Sequence, residues 1–285
     1  MEKYCDLHVH SSLSDGDFTR EEVVELAIGY GITTLAITDH NVPFLGEKDY
    51  LQTKYPNVRL ISGSEVSAKI LTNGNKYKEI HVIALDYDNT DEFVSFLNSN
   101  RINNRLYIES FINWLEKQGL CLDETYDSLK LKTKSQHIGR LLIAKQMVNK
   151  GLCKSIDEAF DSYIGNKPEN DCPKPSIELY ADLSVVVDQI VRARGIPVLA
   201  HPLLYSFSDM ELRKFLSDFR NLGGKGMEVY YGTYSDEERG YLLNLAKEYD
   251  LVPSAASDFH GHGHSGLNNR FPESIAQKLL SCKRC

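Results

Sequence analysis

The two histidines of Asp6-Leu7-His8-Val9-His10 stand two apart at the end of an apolar stretch that begins at Tyr4. Side chains alternate along a strand with period two, so His8 and His10 lie on one face, where two imidazoles can share an ion. A lone pair of this kind carries little weight, because it arises by chance and a strand-end histidine is usually an ordinary polar residue. Repetition gives it meaning. Thr38-Asp39-His40, Gly63-Ser64-Glu65, Glu79-Ile80-His81, Ala200-His201-Pro202 and Ser257-Asp258-Phe259-His260 mark further apolar runs in the same way. A chain that puts His, Asp or Glu at strand after strand favours a fold in which strand ends meet.

The runs expected as strands are Tyr4 to Val9, Thr33 to Ile37, Val58 to Ile61, Ile80 to Leu85, Pro197 to Ala200, Gly226 to Tyr230 and Val252 to Ala256. Between the first two, Thr19 and Glu22 form a capping box ahead of Val23, Val24, Leu26, Ala27 and Ile28, and Gly31 closes that helix. A further helix is expected around Glu47 to Lys54. Short apolar strands alternating with helices predict a mostly parallel sheet, whose ligands gather beyond the carboxyl ends of the strands. Six of the seven strands carry His, Asp or Glu at or near that end. Contributions from all around the strand set suit a (β/α)7-type barrel better than an open sheet with one switch point.

From Asp91 to about Pro175 the rhythm changes to helices alone: Asp91 to Gln118, Ile138 to Asn149 and Ser155 to Tyr163. The expected organisation is therefore a barrel from residues 1–90 and 176–285, with a helical insertion at 91–175. Asn166 to Pro175, with three prolines, reads as the return linker. The insertion leaves after His81 and returns before His201, so it is expected to lie over the strand ends as a lid.

At 285 residues, with 42% hydrophobic and 25% charged content, the chain has the makings of a substantial globular core. A net charge of −8 provides no broad basic surface, which argues against tight binding to extended duplex nucleic acid. The N-terminus runs straight into the first motif, and no stretch approaches the ~18 apolar residues of a membrane span, so a cytoplasmic protein is expected. The six scattered cysteines read as reduced thiols, and the Cys282/Cys285 spacing as incidental.

His8-x-His10, Asp15, His40, Glu65, His81, His201 and Asp258-x-His260, in this order, resemble the polymerase and histidinol phosphatase (PHP) family of metal-dependent phosphoesterases. With the insertion and an Asp at position 15, the chain is similar to the bacterial stand-alone branch that includes nucleoside 3′,5′-bisphosphate phosphatases. The resemblance implies a distorted PHP-type barrel holding two to three divalent transition-metal ions: His8, His10, Glu65 and Asp258 around one, Glu65, His81 and His201 around a second, Asp15, His40 and His260 around a third. Imidazole with carboxylate suits Zn, Mn or Fe. Asp6 and Asp39, beside ligands, are expected to orient imidazoles.

The implied activity is hydrolysis of phosphate monoesters of a small nucleotide-like metabolite, a nucleoside bisphosphate or a short oligonucleotide end, by attack of a metal-bridging hydroxide. Asp15, His40, Glu65 and His260 are the expected catalytic residues. Ser11, Ser12 and Ser14 show no pattern of an activated nucleophile. Arg101, Arg105 and Arg140 on the insertion, with His262 and His264 in a glycine-rich loop, are candidates for substrate binding. His137 reads as surface, and Glu228 is left outside the ligand set. The chain departs from the branch at Arg140-Leu141-Leu142, where relatives tend to show Arg-Pro-His. Two other functions compete: an amidohydrolase, which expects a carbamylated lysine on a middle strand where this chain has Glu65, and a non-catalytic metal-binding regulatory module, which expects a depleted ligand set.

Overall fold

The computed structural model describes residues 2–44, 46–72, 77–133, 138–165, 179–261 and 266–284. Its centre is one eight-stranded sheet in the order β7-β6-β5-β4-β3-β2-β1-β8. The strands are β1 (Tyr4–Val9), β2 (Ile32–Ile37), β3 (Arg59–Leu71), β4 (Tyr77–Leu85), β5 (Ile196–Leu199), β6 (Gly226–Tyr231), β7 (Val252–Ala256) and the short β8 (Phe271–Pro272). The chain after β7 folds back along β1: His10 N–H donates to Phe259 O at 2.9 Å and Asp258 N–H to His8 O at 3.0 Å. These bonds nearly close the sheet into a barrel. They do so at residues that the sequence marks as ligands.

Among the described residues, ten α-helices accompany the strands: α1 (Arg20–Gly29), α2 (Glu47–Lys54), α3 (Asp91–Lys117), α4 (Tyr126–Thr133), α5 (Arg140–Asn149), α6 (Ile156–Ala159), α7 (Leu183–Arg192), α8 (Asp209–Leu222), α9 (Asp236–Glu248) and α10 (Glu273–Ser281). The capping box of Thr19 and Glu22 opens α1 as expected, and α2 spans the expected residues. One buried cluster packs α7, α8 and α9 against β3 to β7 through Val187, Ile190, Leu216, Phe219 and Leu242. Another seats α1 and α2 on β1 to β3 through Val23, Ala27, Leu35 and Leu51. Burial of these apolar side chains, worth roughly 1.5–3 kcal/mol each, supplies much of the drive to close the barrel.

The sheet corrects one expectation. Strand β4 runs antiparallel to both β3 and β5, because β3 continues past Glu65 to Leu71 and returns in β4 with no crossover helix. His81 therefore reaches the site from mid-strand, paired with Ser67 and not from a carboxyl end.

The long α3 takes part in two cores. Phe93 and Leu97, near its start, pack with α7 and the barrel, whereas Tyr107, Ile108, Phe111 and Leu115 pack with Leu129, Ile143, Met147 and Ile164. Thr90 caps it, its hydroxyl accepting from Phe93 N–H at 3.2 Å. The expected helix at 155–163 is α6 continued by a π-helical turn, Phe160–Ile164. The expected linker at 166–175, like His137, lies outside the described residues. Cys5, Cys121 and Cys153 are free thiols, and Cys172 and Cys285 lie outside the described residues. No described helix is long and apolar enough to cross a membrane.

Candidate metal centre

The structure brings all nine expected donor residues together. His8 Nε2 and His10 Nε2 lie 3.0 Å apart. Asp258 Oδ1 stands 3.2 Å from the first and 3.3 Å from the second, and Glu65 Oε2 at 3.4 and 3.2 Å. Glu65 occupies the middle: Oε2 is also 3.0 Å from His40 Nδ1, while Oε1 is 2.8 Å from His81 Nδ1 and 3.1 Å from His201 Nε2. Asp15 completes the third group, 3.3 Å from His260 Nε2 and 3.7 Å from His40 Nε2. Three sets of donors have atoms within 4.8 Å of one another: His8/His10/Glu65, His40/Glu65/His81 and His10/Asp15/His40/His260.

Local backbone explains part of this convergence. A Cβ at Gly63 would lie 2.6 Å from Ile37 O, so glycine lets β3 come close against β2 two residues before Glu65. His201 and Asp258 adopt positive φ, at 27° and 53°. A left-handed histidine is uncommon and costs on the order of 1–3 kcal/mol, which the surrounding structure must offset.

The electrostatics suit cations. Burial alone would push the Glu65 carboxyl up, but His40, His81 and His8 hold it well below the usual range. Asp15 behaves alike under burial opposed by His260 and His40, and Asp258 under burial opposed by His8 and His260. Burial, reinforced by His10 and His81, takes His40 down to about 4 against the pull of Glu65 and Asp15. Burial disfavours the charged form of His10 too, yet Asp258, Glu65 and Asp15 carry it up to about 10. Buried Asp15 Oδ1, His81 Nδ1 and His201 Nδ1 make no hydrogen bond. A buried set of imidazoles and carboxylates gathered at these distances suits a metal ion.

Outside the donors stands a set of orienting groups. Glu228, 1% exposed, accepts from His8 Nδ1–H and from the His201 backbone N–H, both at 2.7 Å. It aims one imidazole and ties down the backbone of another. Sequence reasoning missed this role. The one available signal was a lone carboxylate inside the buried run Gly226–Tyr231. Ser14 Oγ lies 3.2 Å from His10 Nδ1 and donates to Asp39 at 3.0 Å, and Asp39 pairs with the buried Arg20. Tyr231 donates to Asp258 Oδ2 at 2.6 Å. Asp39 thus reaches an imidazole through Ser14, whereas Asp6 corrects its expectation: it accepts from the backbone N–H of His8 and Ser257 and touches no ring.

Beside this cluster opens a cavity of about 210 Å³, lined by Asp15, His40 and His81 on the barrel side and by Asn104, Tyr107 and Arg140 on the insertion side. Arg140 is the one expected arginine in its wall. Arg105 is exposed and held by Glu109 and Asp127, and Arg101 reaches Asn98 on its own helix. Leu142 packs into the helical core. His262 and His264 lie outside the described residues.

The PHP domain family matches residues 6–181. A 5′-3′ exoribonuclease from Haemophilus influenzae is 31% identical over 261 residues, 91% of this chain and 91% of that protein. A 3′,5′-nucleoside bisphosphate phosphatase from Chromobacterium violaceum is 27% identical over 273 residues, 95% of this chain and 92% of that protein. Among solved structures, a chain described as an amidohydrolase from Chromobacterium violaceum, with bound sulfate and no metal, aligns at TM-score 0.81 and 25% identity, covering 98% of this chain and 96% of that one.

Proposed function

We propose, from the premise that this chain belongs to the PHP domain family, that it is a metal-dependent phosphoesterase acting on phosphate esters of a small nucleotide-like substrate. Nucleoside bisphosphates and short RNA ends are the substrates in view, since these are what the similar proteins from Chromobacterium violaceum and Haemophilus influenzae are named for. The observation that carries the reading is the nine-residue donor cluster around Glu65, opening into a cavity whose far wall holds Arg140.

His8, His10, Glu65 and Asp258 would hold one ion, Glu65, His81 and His201 a second, and Asp15, His40 and His260 a third. Such ions supply Lewis acidity, an activated water and charge stabilisation for displacement at phosphorus. The chain's own residues do the rest. Arg140 offers a planar fork to a second phosphate. Glu228, Ser14 and Tyr231 hold His8, His10 and Asp258 in place. Ser14 Oγ lies between Asp39 and His10 and is buried, so this hydroxyl serves as a support and not as a nucleophile. The same reading makes residues 91–175 a substrate-facing insertion on a barrel of 1–90 and 176–285, in a cytoplasmic enzyme.

The amidohydrolase reading has less behind it, because Glu65 stands where a carbamylated lysine would be needed. A non-catalytic module is disfavoured by a complete donor set. The test is phosphate release from p-nitrophenyl phosphate and from a nucleoside 3′,5′-bisphosphate, with chelated protein and with added Mn. Metal-dependent release from both is expected. No release from either in protein carrying two or three ions would reject the proposal.

A further inference from the structure

Glu79 belongs to no donor group, yet it stands beside one. It precedes His81 by two residues on β4, so the two side chains share a face. Glu79 Oε1 lies 3.2 Å from His81 Nε2, and burial, with the same carboxylate nearby, pushes the Tyr180 hydroxyl up. Tyr180 is nearly buried, whereas the Glu79 side chain is 27% exposed in the cavity wall. On the other side of the ring, His81 Nδ1 lies 2.8 Å from Glu65 Oε1 without meeting hydrogen-bond geometry, and it has no other partner.

A neutral imidazole carries one N–H, and its location is set by the partner of each nitrogen. A carboxylate facing Nε2 keeps the proton there and leaves the Nδ1 lone pair aimed at the space shared with Glu65. His8 is held in the opposite sense, with Glu228 on Nδ1 and Nε2 turned to the cluster. We infer that Glu79 is a positioning residue that fixes His81 as an Nδ1 donor to the cluster. The inference concerns the same site as the proposed phosphoesterase, but its first two tests need no substrate.

The experiment uses full-length protein loaded with Zn and labelled with ¹⁵N-histidine. Wild type should show His81 with a hydrogen on Nε2 and a metal-shifted Nδ1. Glu79→Ala should lose this signature and bind one of its ions 10- to 100-fold more weakly by chelator competition, the usual range for losing such a partner. Glu79→Gln keeps an oxygen that accepts from Nε2–H and should recover affinity to within about threefold. At saturating metal, Glu79→Ala should lower kcat by a similar factor for p-nitrophenyl phosphate and a nucleoside bisphosphate, because it acts through His81. A hydrogen on His81 Nδ1 in wild type, or affinity within twofold in Glu79→Ala, would overturn the inference. Absence of all phosphatase activity, with these spectra and affinities as expected, would reject the functional proposal alone.

Discussion

Glu228→Gln separates fold from metal binding better than any larger change. The carboxylate accepts two hydrogen bonds of 2.7 Å, one from His8 Nδ1–H and one from His201 N–H, at 1% exposure. An amide of the same shape has one acceptor. If its oxygen serves His201, its NH₂ meets His8 Nδ1, which must give up its hydrogen, and Nε2–H then points into the donor cluster. If it serves His8, two N–H groups collide at His201. Either arrangement forfeits one charge-assisted bond, about 1.5–3 kcal/mol, against about twice that for Glu228→Ala. Total stabilities are about 5–15 kcal/mol, so the Ala variant approaches unfolding while the Gln variant does not. At about 1.4 kcal/mol per decade, the first arrangement costs the His8 ion roughly 10- to 100-fold in affinity. Calorimetric titration of chelator-stripped protein with Zn, beside thermal melts, reads both quantities. A Gln variant with a wild-type melt and every affinity within twofold would refute the assignment of Glu228 to the His8 ring.

Glu65→Ala removes the residue closest to five imidazoles and should weaken at least two ion sites together, with elemental analysis falling from two or three ions per chain to below one; retention of the full complement would count against a shared Glu65. Arg140→Ala should raise KM for a nucleoside bisphosphate about ten- to a hundredfold, one charge-assisted contact, and leave p-nitrophenyl phosphate nearly unchanged; equal effects on both would remove Arg140 from recognition. Ser12→Ala should keep its activity, and hydrolysis in ¹⁸O-water should place one label in the phosphate with inversion; retention at phosphorus would point to a covalent intermediate. His10, carried up to about 10, holds a proton at neutral pH that an entering ion must displace. Apparent affinity should therefore rise with pH between 7 and 9, with at least one proton released per ion at that site, as calorimetry in buffers of different ionisation enthalpy would show.

The donors were legible because each motif is local. His8 and His10 share a strand face by period two, and Asp258 and His260 are likewise two apart, so short windows carried the chemistry. Glu228 was not legible: its partner His8 is 220 positions away, and only the closing of the sheet makes them neighbours. The direction of β4 was missed for a different reason. The chain between Leu71 and Tyr77 is far too short for the crossover that a parallel pair needs, so β3 and β4 pair antiparallel. The three arginines looked equivalent on their helices, and only their neighbours separate Arg140 in the cavity wall from Arg105 bound by Glu109 and Asp127.

Helix α3 sets a mechanical condition on anything the insertion does. A lid on loops swings as a door, with its own interior undisturbed and its hinge outside both bodies. Here one continuous rod is clamped at both ends, by Phe93 and Leu97 in one core and by Ile108, Phe111 and Leu115 in the other. The polar collar between the clamps, Asn100 and Asn104, bonds to Ser67 O and Ile138 O. A force that displaces the far end is therefore delivered by leverage to the neighbourhood of Ser67, opposite His81 in the sheet. If the insertion closes on a substrate, this rod must bend or tilt, and the bend reaches the strand beside His81.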